Sequence, residues 1–381
     1  MGTNVTLGVS GWRLHGQRTG VGRYLLNLVE HWTPGVVSGR FAQIRLYTPH
    51  PLDRGEINLP EHVQEVVRNS RLPMIPWDNL RIGPSARETV MLYPSYSRPA
   101  ISRGATVVVV HDATMRLHPE LFTKRDQRIY DPLYGWSARA ATLVIMTTEA
   151  AGQDIARVWN VHPSRIRVTH LASAPCFTPL PDSVDRRALR QRLTGADSPF
   201  FFFAGKISGR RNVPLMLEAL SELRRQFDVP HRLVLVGPGA AMREIRAMAD
   251  TLGIGPHVVT LTFVSDVELN QLYNCAEALV MPSAYETVSF PIMEAQAAGT
   301  PVICIDTPGA REMTGGEAIL MPALDVRQLV AAMAMLAADP GARAKFSRRG
   351  LANARRFSWD RCATETLDIC TEAIALAARR R

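Results

Sequence analysis

The sequence predicts an α/β protein of two domains, each a doubly wound parallel sheet. Three observations carry this. The chain has 381 residues, more than one hydrophobic core usually grows to. Short apolar runs alternate with amphipathic stretches along both halves. One proline-rich segment interrupts that rhythm near the middle. Hydrophobic residues make up 46% and charged residues 21%, with no long low-complexity tract, so the chain is expected to fold throughout.

Residues 4–9 read as a strand, followed by a glycine-containing loop through Gly22. The spacing of Tyr24, Leu25, Leu28 and Val29 then predicts a helix. Further strands are expected at 44–47, 106–110 and 142–146, and a helix over 149–159. The stretch CFTPLPDSVD, rich in prolines and turn formers, is expected to link the domains. A new strand, PFFFFAG, opens the second half. After it come a helix at 213–226, strand 232–236, helix 241–252, strand 258–262, helix 266–275 and strand 278–281. Ser265 and Glu268 have capping-box spacing for the 266–275 helix, and Pro291 suits the first turn of another that Gly299 ends. Strand 302–305 follows, and the segment after Ser358 reads as a long final helix. The expected domains are 1–178 and 190–357, with 358–381 as a C-terminal helix.

Five cysteines without CxxC spacing suggest neither a zinc site nor a disulfide framework, which suits a reducing cytoplasm. The amino terminus shows no basic leader followed by an apolar core, and no apolar run is long enough to span a bilayer, so a soluble or peripheral protein is expected. The net charge is +9, and residues 1–190 carry most of it, with 23 Lys and Arg against 15 Asp and Glu. That excess suits an anionic membrane surface or a phosphate-bearing acceptor, and equally an ordinary solvated arginine-rich face. Nucleic acid ranks last, because no binding module accompanies the charge.

The segment PSAYETVSFPIMEAQAAGTPVICID places Glu286 in a loop after a strand and Glu294 on the next helix. Both carboxylates are expected to face the crevice outside the carboxyl ends of the strands, where they can accept hydrogen bonds from sugar hydroxyls. By themselves they also fit a surface acid and a helix-capping acid. Val288, Ser289 and Phe290 lead into a helix amino terminus, whose amides and dipole favour a diphosphate. AGKISGRRN ends the first strand of the second half with Lys206 and Arg211, two cations suited to a leaving diphosphate or to a plain basic turn. In TGVGRY, Gly20 and Gly22 allow close backbone approach, though the spacing is shorter than a dinucleotide fingerprint. His111 and Asp112 end the VVVV strand at the same carboxyl edge, where the histidine can touch substrate or serve structure.

Taken together, TGVGRYLLNL, VVVVHDATMRLHPE, GKISGRRNVPLMLEAL, LVLVGPG and ETVSFPIMEAQAAGTPV resemble glycosyltransferase family four, retaining enzymes of the GT-B fold. The most specific part is the Glu-x7-Glu pattern from Glu286 to Glu294. The resemblance implies two Rossmann-like domains facing an interdomain cleft and transfer of a hexose from a nucleotide diphosphate sugar. By it, Lys206 and Arg211 hold the donor diphosphate, Glu286 the donor sugar and Glu294 the ribose. Val288, Ser289 and Phe290 supply phosphate-binding amides, Gly20 and Val21 lie near the phosphate, and His111 near the sugar. The turn from Val264 to Asp266 lies near the base, and the final helix crosses back onto the first domain.

The donor so implied is GDP- or UDP-linked and the acceptor a glycan or lipid-linked glycan, in the manner of bacterial cell-surface polysaccharide enzymes. Peripheral contact with the inner face of the membrane is the expected location within the cytoplasm. No cofactor and no essential metal are expected, since two cations are present and no DxD-like carboxylate cluster sits in a suitable loop. The chain departs from the family in the order of its cations, Lys206 before Arg211, and in Thr287 and Ser289, which replace common glycines. Those side chains narrow the site or restrict its backbone, which leaves open a nucleotide-sugar binder without turnover, and a sugar-nucleotide epimerase on the same double-Rossmann architecture is a further alternative.

Overall fold

The computed structural model describes residues 5–16, 20–55, 57–237 and 242–379. Asn4, Thr19, Pro238, Gly239 and Ala241, which the expected first strand, TGVGRY loop, LVLVGPG segment and 241–252 helix include, lie outside the described residues. The chain divides into two compact units, Met1–Leu171 with Ser358–Arg381, and Ala172–Phe357.

In the first unit the strands are β1 (Thr6–Ser10), β2 (Gln43–Thr48), β3 (Val63–Val67), β4 (Val90–Tyr93), β5 (Ala105–Val110), β6 (Leu143–Met146) and β7 (Ile166–Val168). They form one sheet in the order β3-β2-β1-β4-β5-β6-β7, every pair parallel. The central strands β4, β5 and β6 are buried along their whole length, as β-branched and apolar runs covered on both faces must be. The strand order reverses between β1 and β4, which leaves a gap at their carboxyl ends. The final helix, Trp359–Ala378, packs in this unit through Cys362, Thr366, Cys370 and Ala373, a buried stripe of helical spacing. Burial pushes the Cys362 thiol up to about 12.

In the second unit β8 (Phe200–Ala204), β9 (Arg232–Val236), β10 (Val258–Leu261), β11 (Ala278–Met281), β12 (Val302–Ile305) and β13 (Ile319–Met321) form a parallel sheet in the order β10-β9-β8-β11-β12-β13. Phe200, Phe201, Phe202 and Phe203 are fully buried and anchor this core. The reversal point here lies between β8 and β11. The loops that follow these two strands, carrying residues 205–212 and 282–289, therefore stand on either side of it.

The segment expected as an interdomain linker is instead fastened into the second unit. Phe177 is buried against Tyr273, with ring centroids 5.8 Å apart. The Thr178 and Leu180 amides donate to Asn270 Oδ1 at 3.2 Å and Asn274 Oδ1 at 2.8 Å. Prolines here remove donors while the remaining amides find partners, so the stretch is an ordered strap.

Candidate functional site

The loop after β8 begins at Gly205, whose φ of 135° is open to glycine and strained for other residues. Its amide donates to the Val236 carbonyl at 2.9 Å, extending the β8–β9 ladder by one step. Lys206 follows, exposed, and no described residue pairs with it. The chain then makes a short turn, Gly209–Arg211, and Asn212 takes a left-handed φ of 50° before the Val213–Phe227 helix.

Asn212 and the backbone stitch this loop to the one after β11. Asn212 Nδ2 donates to the Pro282 carbonyl at 2.9 Å, and the Ala284 amide donates to the Arg210 carbonyl at 2.9 Å. These bonds deliver Arg211 to Glu286. Arg211 Nη1 pairs with Glu286 Oε1 and donates to Ser283 Oγ at 3.2 Å, while Arg210 Nη1 stands 3.8 Å from the same carboxylate. The side chains of Arg211 and Glu286 are only 12% and 6% exposed. Burial pulls the Arg211 guanidinium below its ordinary value and Glu286 opposes that pull.

The loop carrying Glu286 is held from below by glycine. A Cβ added at Gly309 would lie 2.4 Å from the Glu286 carbonyl oxygen and 2.9 Å from Thr287 Cα, so only a residue without a side chain fits there. Thr287 is buried and Val288 half-buried against the core. Ser289 caps the Phe290–Ala298 helix by position alone, since its side chain makes no capping bond and its Oγ is buried without a hydrogen-bond partner. The N–H of Ser289, one of the three residues expected to offer amides to a phosphate, donates to Met313 Sδ at 2.9 Å. Pro291 lies in the first turn of that helix and Gly299 ends it with a φ of 80°.

Glu294 lies on the Phe290–Ala298 helix. It is 1% exposed, and its Oε2 accepts the Tyr273 hydroxyl at 2.9 Å from the neighbouring Asp266–Cys275 helix. A carboxylate one helical turn into a packed interface must be hydrogen-bonded, and Tyr273 supplies that bond. Glu286 and Glu294 therefore do not both stand open at the strand ends. Val264 is half-buried against the core. Asp266 is exposed at the start of its helix, where Ser265 and Glu268 form the expected capping box.

In the first unit Gly20 is exposed and Val21 half-buried in the opening turn of the Gly20–Glu30 helix. His111 follows β5 and is buried, with Nε2 3.0 Å from the Pro94 carbonyl and its ring 5.3 Å from Tyr24 and 5.4 Å from Tyr96. Burial lowers its pKa, which keeps the ring neutral. Asp112 accepts the Tyr96 hydroxyl at 3.1 Å and the Thr114 amide at 2.9 Å. Beside these, Ser10 Oγ donates to Asp78 Oδ1 at 2.7 Å and Arg13 Nε to Ser95 Oγ at 3.1 Å. Burial pushes Asp78 up to about 7.

Sequence reasoning missed Arg210, Ser283, Gly309 and Tyr273 in the second unit, and Ser10, Arg13 and Asp78 in the first. Only the doubled arginine of GRRN carried a visible signal, because the others act through contacts between segments far apart in sequence. Among the described residues no group of three or more His, Cys, Asp or Glu is arranged to hold a metal ion. No described helix is long and apolar enough to cross a membrane.

Residues 185–352 match the family described as Glycosyl transferases group 1. The chain is 30% identical over 244 residues to a D-inositol 3-phosphate glycosyltransferase of Xylanimonas cellulosilytica, covering 61% of this chain and 58% of that one. It is 26% identical over 263 residues to O-antigen chain mannosyltransferase B of Escherichia coli, covering 69% of each. The chain thus spans somewhat over half to about two thirds of the length of these curated relatives. In fold it is similar to the HepE protein of Anabaena, solved with UDP-glucose, at a TM-score of 0.70 and 18% identity, covering 99% of this chain and 100% of that one. The matched segment lies in the second unit and the two sheets are wound in the same order, so the chain resembles the group 1 glycosyl transferases over residues 185–352 and has the GT-B fold.

Proposed function

We propose that the chain is a retaining hexosyltransferase, moving a hexose such as mannose from a GDP- or UDP-linked donor to a glycan or lipid-linked acceptor in cell-surface polysaccharide synthesis. The observation that carries the proposal is the meeting of Arg211 and Glu286 across the β8/β11 reversal point, with Arg210 beside them and Lys206 on the same loop. A mannosyltransferase among the relatives supports mannose, and the UDP-glucose complex of HepE supports a UDP-linked donor.

In this reading Arg211 and Lys206 take the diphosphate, and Glu286 exchanges part of its ion pair for donor-sugar hydroxyls. Val288, Ser289 and Phe290 face the phosphates, Val264 and Asp266 the base, and Glu294 the ribose, which requires its carboxylate to turn from Tyr273. In the first unit Gly20 and Val21 are assigned to phosphate and His111 to the sugar, with the acceptor at the same sheet edge. The acceptor hydroxyl attacks from the side of the departing diphosphate, whose oxygen takes the proton, so no protein nucleophile is needed. The cations stabilise the charge that builds on the leaving group, and no metal or cofactor takes part. The reaction runs in the cytoplasm, at the inner face of the membrane.

A second reading, a donor-binding protein without turnover, is favoured by the Ser289 amide being engaged by Met313. Assay of the wild type, Lys206→Ala and Glu286→Gln against a panel of nucleotide sugars, with product analysis, separates the readings. Transfer with retained anomeric configuration that falls in both variants supports the transferase. Donor binding with neither transfer nor hydrolysis supports the binder.

A further inference from the structure

In the first unit the strand order reverses between β1 and β4, and the chain leaving β4 makes a strained turn at that point. The Ser97 amide donates to the Ser95 carbonyl at 2.7 Å, closing a γ-turn around Tyr96, whose φ is 62°. A residue with a side chain adopts such a turn only where its surroundings hold it there. Tyr96 is held at both ends: its amide donates to the Val109 carbonyl at 2.9 Å and its hydroxyl to Asp112 Oδ2 at 3.1 Å. Its ring stacks on Tyr134 of the Lys124–Ala140 helix, and Tyr134 stacks on Tyr130, with centroids 4.9 and 5.8 Å apart. Tyr130 and Tyr134 are half-buried, and their hydroxyls bond to no described residue.

Arg13 stands beside this turn. It follows β1 in the short Trp12–Leu14 helix and is half-buried. Its Nε donates to Ser95 Oγ at 3.1 Å, and its guanidinium lies 5.8 Å from the centre of the Trp12 ring. No described acceptor takes a bond from either Nη, and no described carboxylate pairs with it. Its charge is felt at Asp78, His111 and Tyr134, which puts the fork in their midst. Neither nearby acid answers it. Asp78 is buried, accepts Ser10 Oγ at 2.7 Å and is pushed by burial up to about 7, so it is half protonated at neutral pH. Asp112 is taken by the Tyr96 hydroxyl and the Thr114 amide. At the reversal point of the second sheet, by contrast, Arg211 is closed by Glu286.

A half-buried guanidinium with two idle nitrogens, set where a parallel sheet opens a crevice, suits an oxyanion, because its planar fork matches a carboxylate or a phosphate. The tyrosine row beside it offers apolar faces with polar ends, the kind of surface on which a sugar ring packs. We propose that this crevice of the first unit binds an anionic sugar, a pyranose bearing a carboxylate or a phosphate ester, with Arg13 on the oxyanion and Tyr134 and Tyr130 against the ring. Ser95 bonds the cation and Tyr96 stacks on the platform, so the strained turn between these adjacent residues fixes the spacing of the two parts. Taking this sugar as the acceptor makes the enzyme one that extends an acidic glycan or a phosphorylated sugar. That consequence rests on the transferase reading, whereas the binding itself does not.

The test is ligand-observed NMR titration of the full chain with two pairs of probes: methyl mannoside against the same glycoside phosphorylated on its primary hydroxyl, and methyl glucoside against methyl glucuronide. Wild type is expected to bind at least one acidic member about tenfold more tightly than its neutral partner, Arg13→Gln to lose that preference and Arg13→Lys to keep part of it. A preference in the phosphate pair alone supports a phosphorylated sugar, and one in the glucuronide pair alone a uronate. Equal affinity within both pairs, or a preference that Arg13→Gln retains, would overturn the proposal. So would a preference that Lys206→Ala abolishes, which would seat the anion in the second unit. Inorganic phosphate or acetate binding as tightly as the acidic glycoside would overturn it too, since a bare ion needs no tyrosine platform. Nucleotide stabilisation of Arg13→Gln is expected to equal wild type, so failure of this site is separable from failure of the transferase reading; a loss there would assign Arg13 to the donor instead.

Discussion

Arg211 and Glu286 form a buried ion pair that ties the loop after β8 to the loop after β11, with Ser283 Oγ as a second acceptor for the guanidinium. The pair sits where the strand order reverses, the place at which an open α/β sheet offers a crevice. Two groups proposed to grip opposite ends of a donor sugar diphosphate are thus paired with each other. That preserves both charges in an interior that would otherwise penalise either alone.

Removing one partner should therefore cost stability. Glu286→Ala leaves the Arg211 charge buried with Arg210 close by, and is expected to destabilise the chain by about 3 kcal/mol in chemical denaturation. A loss indistinguishable from that of an exposed glutamate would show that the pair is open to water.

Lys206 should behave in the opposite way. It is exposed and unpaired, so Lys206→Ala is expected to change stability by less than about 0.5 kcal/mol. Its proposed role on the leaving diphosphate makes the expected fall in kcat/KM about 100-fold. Steady-state kinetics beside a denaturation curve reads both.

Gly309 supports the acid loop from beneath. Gly309→Ala puts a methyl group 2.4 Å from the Glu286 carbonyl oxygen, so the loop or the Pro308–Thr314 helix must shift. The expected cost is about 1–3 kcal/mol in unfolding free energy, with loss of transferase activity as Glu286 moves. Unchanged activity and stability would mean that the loop relaxes without moving the carboxylate.

Asp78 makes stability depend on pH with an unusual sign. Burial raises its folded pKa from 3.8 to about 7, so between these values the folded chain holds a proton that the unfolded chain has lost. The contribution is fully present below the unfolded pKa and is lost as pH rises toward 7, at most about 4 kcal/mol. Asp78→Asn keeps an acceptor for Ser10 and should flatten this part of the profile, raising stability at pH 8 relative to wild type. Denaturation midpoints of both proteins from pH 4 to pH 8 test it, and parallel profiles would contradict it.

Much of the second sheet was legible because its signals are local. PFFFFAG reads as a buried strand, Ser265 and Glu268 mark a helix start, and Pro291 and Gly299 bracket a helix. Strands β3, β4, β7 and β13 were not recognised. They are three to five residues long, and such short runs carry no distinguishing period. The Lys124–Ala140 helix was hidden by Pro132 and by a charged face that only its packing explains. In the site, sequence singled out Glu286, Glu294, Lys206 and Arg211. It could not foresee that Arg211 closes on Glu286, that Tyr273 holds Glu294, or that Met313 takes the Ser289 amide. Those bonds join residues 21 or more positions apart and exist only once the sheet has brought the helices together.

Thermal unfolding of the full chain with GDP, UDP, ADP and TDP, run on the wild type and Lys206→Ala, decides whether the second unit grips a diphosphate through these residues. One nucleotide, at about 100 times its Kd, should stabilise the wild type by about 2.7 kcal/mol and shift its midpoint by several degrees, with a clearly smaller shift in the variant. No shift with any of the four, or equal shifts in both proteins, would contradict the proposed donor site.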